Sequence, residues 1–119
     1  MSEARKVTVD PGIARELTAF QQNILVILAE EARYGLAIKR ELEEYYGEEV
    51  NHGRLYPNLD DLVEMGLVEK SELDKRTNQY ALTDDGEAAV LGQLEWVVSK
   101  FVAEGGRAET LHDLVDSSQ

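Results

Sequence analysis

Apolar positions along this chain recur with a helical rhythm in three successive segments, then with a strand-like rhythm, then helically again. After Thr18, the residues Phe20, Ile24, Leu25, Ile27 and Leu28 return at three- and four-residue intervals, which predicts a helix over 18–31. Thr18 offers an N-cap, and Gln21 three residues on completes a capping-box pattern. Arg33-Tyr34-Gly35 breaks that helix. In the second helix, Leu36, Ile38, Leu42 and one of Tyr45 or Tyr46 face the core. Lys39, Arg40, Glu43 and Glu44 point outward, and Gly47 is the C-cap. Asn51 caps a third helix with apolar positions Leu55, Leu59, Leu62, Val63 and Met65, stopped by Gly66. Pro57 sits inside it and lacks the N–H that would meet the Gly53 carbonyl, so a kink or a later start is left open.

Residues 67–73 and 78–82 read as two short strands, with the polar turn 74–77 between them. Thr83 then caps a long helix reaching about residue 104, where Gly105-Gly106 stops it; Asp84 and Asp85 suit the positive end of its dipole. Leu91, Leu94, Val98 and Phe101 are spaced like a coiled-coil seam, which Val90, Val97 and Val102 widen beyond what a lone surface helix requires. Residues 108–115 form a short terminal helix with Leu111, Leu114 and Val115 on one side, and residues 1–16 form an arm with little regular structure. The fold class is therefore mainly α with a small β-hairpin. It is a winged helix-turn-helix over 17–83, followed by a long C-terminal dimerisation helix and tail over 84–119.

Composition narrows the setting. At 119 residues and 43% hydrophobic the chain is one globular domain, small enough that a partner subunit would add stability. No apolar run approaches the ~20 residues of a membrane span, and the start lacks the apolar segment of a secretory signal, so the cytoplasm is expected. The absence of cysteine excludes disulfides, thiolate zinc sites and thiol-based redox sensing. Twelve Lys plus Arg stand against 24 Asp plus Glu, a net charge of −12. The acids are scattered in pairs such as Glu30-Glu31, Glu48-Glu49 and Asp60-Asp61, which marks an acidic folded surface and not a tail. With only five lysines, the surface suits molar salt, where screening over about 3 Å removes most self-repulsion.

Candidate chemistry lies between Tyr34 and Gly86. The third helix would enter the major groove by its N-terminal end, placing Asn51, His52, Arg54 and Tyr56 nearest the bases and Asn58 one turn on. Arg reads guanine and Asn reads adenine bidentately, while Tyr bonds phosphate or packs on sugar. Lys75, Arg76, Thr77 and Asn78 would form the wing tip, suited to backbone or minor groove, with Lys39 and Arg40 on flanking phosphates. The seam residues Leu91, Leu94, Val98 and Phe101, with Trp96, form the expected dimer interface; Trp96 reads as an interface or pocket residue. Tyr34, Tyr45, Tyr46 and Tyr80 read as core or rim aromatics. His52 has no second His or Cys at ligand spacing, so no metal is expected, and His112-Asp113 reads as surface. Adjacent acids such as Asp60-Asp61 point in different directions on a helix, and no nucleophile with its base or phosphate-cradling loop is present, so an enzyme is not expected.

Four segments carry a family resemblance. Tyr34-Gly35-Leu36-Ala37-Ile38 resembles the second-helix opening of PadR-type regulators. Gly53-Arg54-Leu55-Tyr56-Pro57-Asn58-Leu59 resembles their recognition-helix signature, continued by Leu62 and Met65-Gly66-Leu67-Val68. Tyr80-Ala81-Leu82-Thr83-Asp84-Asp85-Gly86 resembles the pattern that ends the wing and starts the dimerisation helix. Arg54, where a small hydroxyl residue is common, and Asp60-Asp61, where basic residues are often found, depart from that pattern. The resemblance implies a homodimer held by its C-terminal helix, binding double-stranded DNA at a two-fold operator, usually as a repressor, with Tyr56 and the start of helix three on DNA. With the acidic composition it extends to haloarchaeal members, including regulators of the response to reactive oxygen species, so a stress-response role is expected. DNA binders are normally basic, and a −12 chain is not. The expected resolution is that Arg54, Lys75, Arg76, Lys39 and Arg40 cluster toward DNA while K⁺ or other salt cations shield Glu48, Glu49, Asp60 and Asp74. No other cofactor is expected. Alternative functions are a winged-helix module that binds another protein, and a ligand-sensing regulator with its effector pocket at the dimer helices.

Overall fold

The structure, a computed structural model, describes residues 16–74 and 77–118. In chain order it contains α1 (Ala19–Glu30), β1 (Arg33–Tyr34), α2 (Gly35–Tyr46), α3 (His52–Glu64), β2 (Val68–Asp74), β3 (Thr77–Leu82), α4 (Asp84–Phe101) and α5 (Arg107–Ser117). The arm expected over 1–16 lies outside the described residues except for Glu16, as do Lys75 and Arg76 of the expected wing tip.

Local chemistry sets the boundaries. The Thr18 hydroxyl accepts the Gln21 N–H at 3.1 Å and the Gln21 side chain accepts the Thr18 N–H at 3.1 Å, so the capping box forms. Gly47 closes α2 by donating its N–H to the Glu43 carbonyl at 2.8 Å. Asn51 caps α3, and the helix runs through Pro57 from His52 without a later start. α4 ends at Phe101, three residues before the expected stop, with Val102 as its cap and Gly106 opening α5.

The sheet has the order β1-β3-β2, all antiparallel. β2 and β3 are the expected hairpin, with an irregularity between Glu72 and Asp74. β1 was not foreseen: Arg33 and Tyr34, expected only to break a helix, pair with Tyr80 and Gln79. A two-residue strand has no room for the alternation that reveals strands.

Ile24, Leu25 and Leu28 of α1, Ile38 and Leu42 of α2, and Leu55, Leu59 and Leu62 of α3 meet Leu67, Val68 and Tyr80 in one core. Each large aliphatic chain buried there contributes about 1.5–3 kcal/mol. The expected core position Leu36 lies outside it, 47% exposed. The buried face of α2 is Gly35, Ile38 and Leu42, so Leu36 falls beside that stripe, and of the two tyrosines Tyr46 turns inward. Leu17 and Val50, not singled out in the sequence, are buried, and so is Gln21, which the sequence marks only as a capping residue.

Thr83 ties α4 to this body. Its hydroxyl accepts the Gly86 N–H at 3.0 Å and donates to the Gly66 carbonyl at 2.7 Å, and its N–H donates to the Leu67 carbonyl at 3.1 Å. Beyond Val90 the helix leaves the core, and Leu91, Leu94, Val97 and Phe101 are exposed.

A candidate nucleic-acid interface

Helices α2 and α3 are joined by a short turn whose geometry is fixed by one carboxylate. Glu43 Oε2 accepts from Lys39 Nζ at 2.8 Å and from the Val50 N–H at 2.9 Å. These two donors, Lys39 first, hold the Glu43 carboxyl below its ordinary pKa. Val50, buried behind the turn, anchors the entry to α3.

At the start of α3, Asn51 spends its side-chain oxygen on the Gly53 N–H, at 2.6 Å. His52 and Arg54 are exposed, and the His52 ring stands 5.6 Å from that of Tyr56, one turn on. The Arg54 guanidinium lies over the Phe20 ring, 3.9 Å from its centroid. Tyr56 is half-buried, with its hydroxyl against the first turn of α2. A Cβ on Gly35 would stand 2.6 Å from that oxygen, so only glycine lets the ring lie there.

Across from Tyr56, the wing strand closes a cleft of about 250 Å³ lined by Tyr34, Gly35, Leu36, Tyr56, Thr77, Asn78 and Tyr80. The structure thus brings Tyr56 together with the Thr77 and Asn78 expected at the wing, on one surface. Tyr80 forms the floor, and its hydroxyl pKa is raised by burial and by nearby Asp60.

Other expected contact residues are placed differently. Lys39 is engaged with Glu43, whereas Arg40 is exposed. Asn58 points inward: its Oδ1 accepts from Gln21 Nε2 at 3.0 Å and its Nδ2 donates to the Arg54 carbonyl at 2.7 Å. Glu48, Glu49, Asp60 and Asp74 are exposed around α3 and the wing. Arg33 is surrounded by Glu30, Glu31 and Glu41, with contacts of 2.5, 3.8 and 3.2 Å, so its charge is balanced on the protein.

On α4, Leu91, Leu94, Val98 and Phe101 form the expected stripe, and the first two are more than half exposed. Trp96 does not join them. It stands two residues from both Leu94 and Val98, about 160° around the axis, and is 59% exposed. Beside the stripe an apolar groove of about 330 Å³ runs between α1 and α4, walled by Leu17, Leu25, Val26, Val90, Leu94 and Val97. Among the described residues, no three His, Asp or Glu are grouped to hold a metal ion, and no helix is long and apolar enough to cross a membrane.

Comparison with known proteins gives this geometry a family context. The model of the transcriptional regulator PadR-like family matches residues 24–91. The structure of H. salinarum RosR grown from NaBr is 72% identical, with a TM-score of 0.86 over 88% of this chain and 96% of that one. The complex structure of hsRosR-SG is also 72% identical, with a TM-score of 0.86 over 88% of this chain and 94% of that one. Bacillus subtilis PadR in complex with operator DNA shares the fold at 23% identity and a TM-score of 0.56, over 66% of this chain and 46% of that one. No curated protein matches the chain.

Proposed function

The chain belongs to the PadR-like family of transcriptional regulators, and from that premise we propose that it is a sequence-specific DNA-binding regulator in the cytoplasm. It acts as a homodimeric repressor on a two-fold operator in high salt. The observation that carries this reading is the cleft in which Tyr56 of α3 faces Thr77 and Asn78 of the wing. A major-groove helix and a backbone-gripping strand on one surface are what a winged helix needs. The stress-response role is carried over from the resemblance to haloarchaeal regulators of the response to reactive oxygen species.

In this reading Asn51, His52 and Arg54 address base edges, Tyr56 the sugar-phosphate backbone, and Arg40, Lys75 and Arg76 flanking phosphates. Arg54 leaves the Phe20 ring to do so, at a cost of about 0.5–1 kcal/mol, offset by a charge-assisted contact to base or phosphate. Leu91, Leu94, Val98 and Phe101 pair with their copies in the dimer. K⁺ or other salt cations sit between DNA phosphates and Glu48, Glu49, Asp60 and Asp74, so binding takes up cations at some points while it releases them at others.

The test is a titration of a genome-selected duplex from low to molar KCl, with the wild type and the Arg54→Ala and Tyr56→Ala variants. The wild type should lose affinity with salt much less steeply than a basic binder of six to ten phosphate contacts, for which the loss is about 10³–10⁵-fold between 50 and 200 mM. Arg54→Ala should lose about tenfold or more in preference for the selected duplex over a scrambled one, whereas Tyr56→Ala should weaken binding to both duplexes alike. Equal affinity for both duplexes by the wild type rejects the regulator reading. A steep salt-driven loss by a chain that stays folded rejects cation uptake.

A further inference from the structure

Pro57 leaves the recognition helix one rung short. It has no N–H for the Gly53 carbonyl, and this gap falls among the residues of α3 that the proposed function assigns to DNA. The next residue, Asn58, supplies a side-chain bond to the Arg54 carbonyl at 2.7 Å, and its other end is held by Gln21 Nε2 at 3.0 Å. Gln21 is only 7% exposed, and its own oxygen accepts the Thr18 N–H at 3.1 Å. The two amides therefore form a directed relay between fixed backbone groups. A backbone N–H at the start of α1 orients Gln21, Gln21 orients Asn58, and Asn58 ends on Arg54. Neither amide can turn over without facing donor to donor or acceptor to acceptor. The residue before Gln21, Phe20, carries the Arg54 guanidinium on its ring at 3.9 Å. The Arg54 side chain thus rests on Phe20 of α1, while its carbonyl is bonded by Asn58, which Gln21 of α1 orients in turn.

We propose that Gln21 is a positioning residue for base reading, which acts through Asn58 to set where Arg54 stands over the DNA. Asn58 then belongs to the support of the recognition helix and does not touch bases. This inference rests on the regulator reading above, and it adds α1 to the specificity-determining part of the molecule.

Two nearly isosteric changes each cut one link. Gln21→Glu keeps the acceptor for the Thr18 N–H but cannot donate to Asn58. Asn58→Asp keeps the acceptor for Gln21 but cannot donate to Arg54. Val63→Ala serves as control, since Val63 is partly buried farther along the same helix and removes packing without touching the relay. The full-length proteins are compared in molar KCl for affinity to a 30-base-pair duplex selected by the wild type and to a scrambled duplex of equal composition. Gln21→Glu and Asn58→Asp should each lower the ratio of the two affinities about fivefold to tenfold, the loss of one buried hydrogen bond. Val63→Ala should leave that ratio at the wild-type value. An unchanged ratio in both relay variants overturns the proposal, as does an equal fall in Val63→Ala, which would reduce the relay to general stability. A wild type with no preference between the duplexes removes the regulator reading itself, and the relay's role with it.

Discussion

Replacing Gly86 by alanine is expected to destabilise the fold more than any other single-methyl addition to the described residues. Gly86 lies in the first turn of α4, where the helix is pressed onto the chain leaving α3. A Cβ there would overlap the backbone carbonyl of Leu67 and come within 2.8 Å of Leu82 Cδ1. The Leu82 contact could be relieved by a rotamer change. The Leu67 carbonyl cannot move so cheaply, because it accepts the Thr83 N–H that fixes the same junction. Relief therefore means lifting α4 off the core, which also uncovers Ala89 and loosens the Thr83 cap. Overpacking of this kind costs about 3 kcal/mol, which lowers the melting temperature of a domain this size by roughly 15 °C. Gly86→Val should not yield a folded chain. Thermal unfolding followed by circular dichroism in molar KCl measures both. A melting temperature within about 3 °C of wild type for Gly86→Ala would mean that α4 does not seat as described.

Leu94→Asp should separate the proposed dimer into folded single chains. Leu94 is 53% exposed within one chain, so the substitution spares that chain's own core. In the proposed dimer it places a charge at the middle of the stripe formed with Leu91, Val98 and Phe101, where desolvation without a partner is strongly unfavourable. Sedimentation should show the mass of one chain, with unchanged helix content. Loss of the second recognition helix should lower operator affinity about 10²–10⁴-fold, the factor by which linked sites exceed a single one. Trp96→Ala, on another face of the helix, should leave the dimer intact. A Leu94→Asp protein that remains dimeric, or binds the full operator as tightly as wild type, contradicts the assignment of this stripe.

Much of the architecture was legible because it depends on local rules. Thr18, Asn51 and Thr83 each cap the helix that follows, as their positions before apolar periodicity required. The hairpin followed from two short strand-like runs with a polar turn between them. Tertiary context decided what was misread. Leu36 is as apolar as its buried neighbours Ile38 and Leu42, and only the rotation of α2 against α1 and α3 shows which side is covered. β1 exists because β3 offers an unpaired edge beside Arg33 and Tyr34, which no pattern within two residues can reveal.

The site divides in the same way. The spacing of Asn51, His52, Arg54 and Tyr56 placed them together at the head of α3, and Thr77 and Asn78 at the wing. Asn58 occupies the same helix by spacing, yet a glutamine 37 residues earlier turns its side chain inward. Gln21 was visible only as half of a capping box, since its second bond depends on a long-range contact. Trp96 reads from the sequence as an interface or pocket residue, and the helical period sets it on another face than Leu91, Leu94, Val98 and Phe101.

The central claim is that two α3 helices, each with its wing strand, present themselves to one DNA duplex. Hydroxyl-radical footprinting of the selected operator in molar KCl, with the bound mass determined on the same sample, tests it most directly. Two chains per duplex should protect two symmetric segments whose centres lie about one helical turn or a multiple of it apart. A single protected segment with one chain bound, or no protection by the folded protein, contradicts the account.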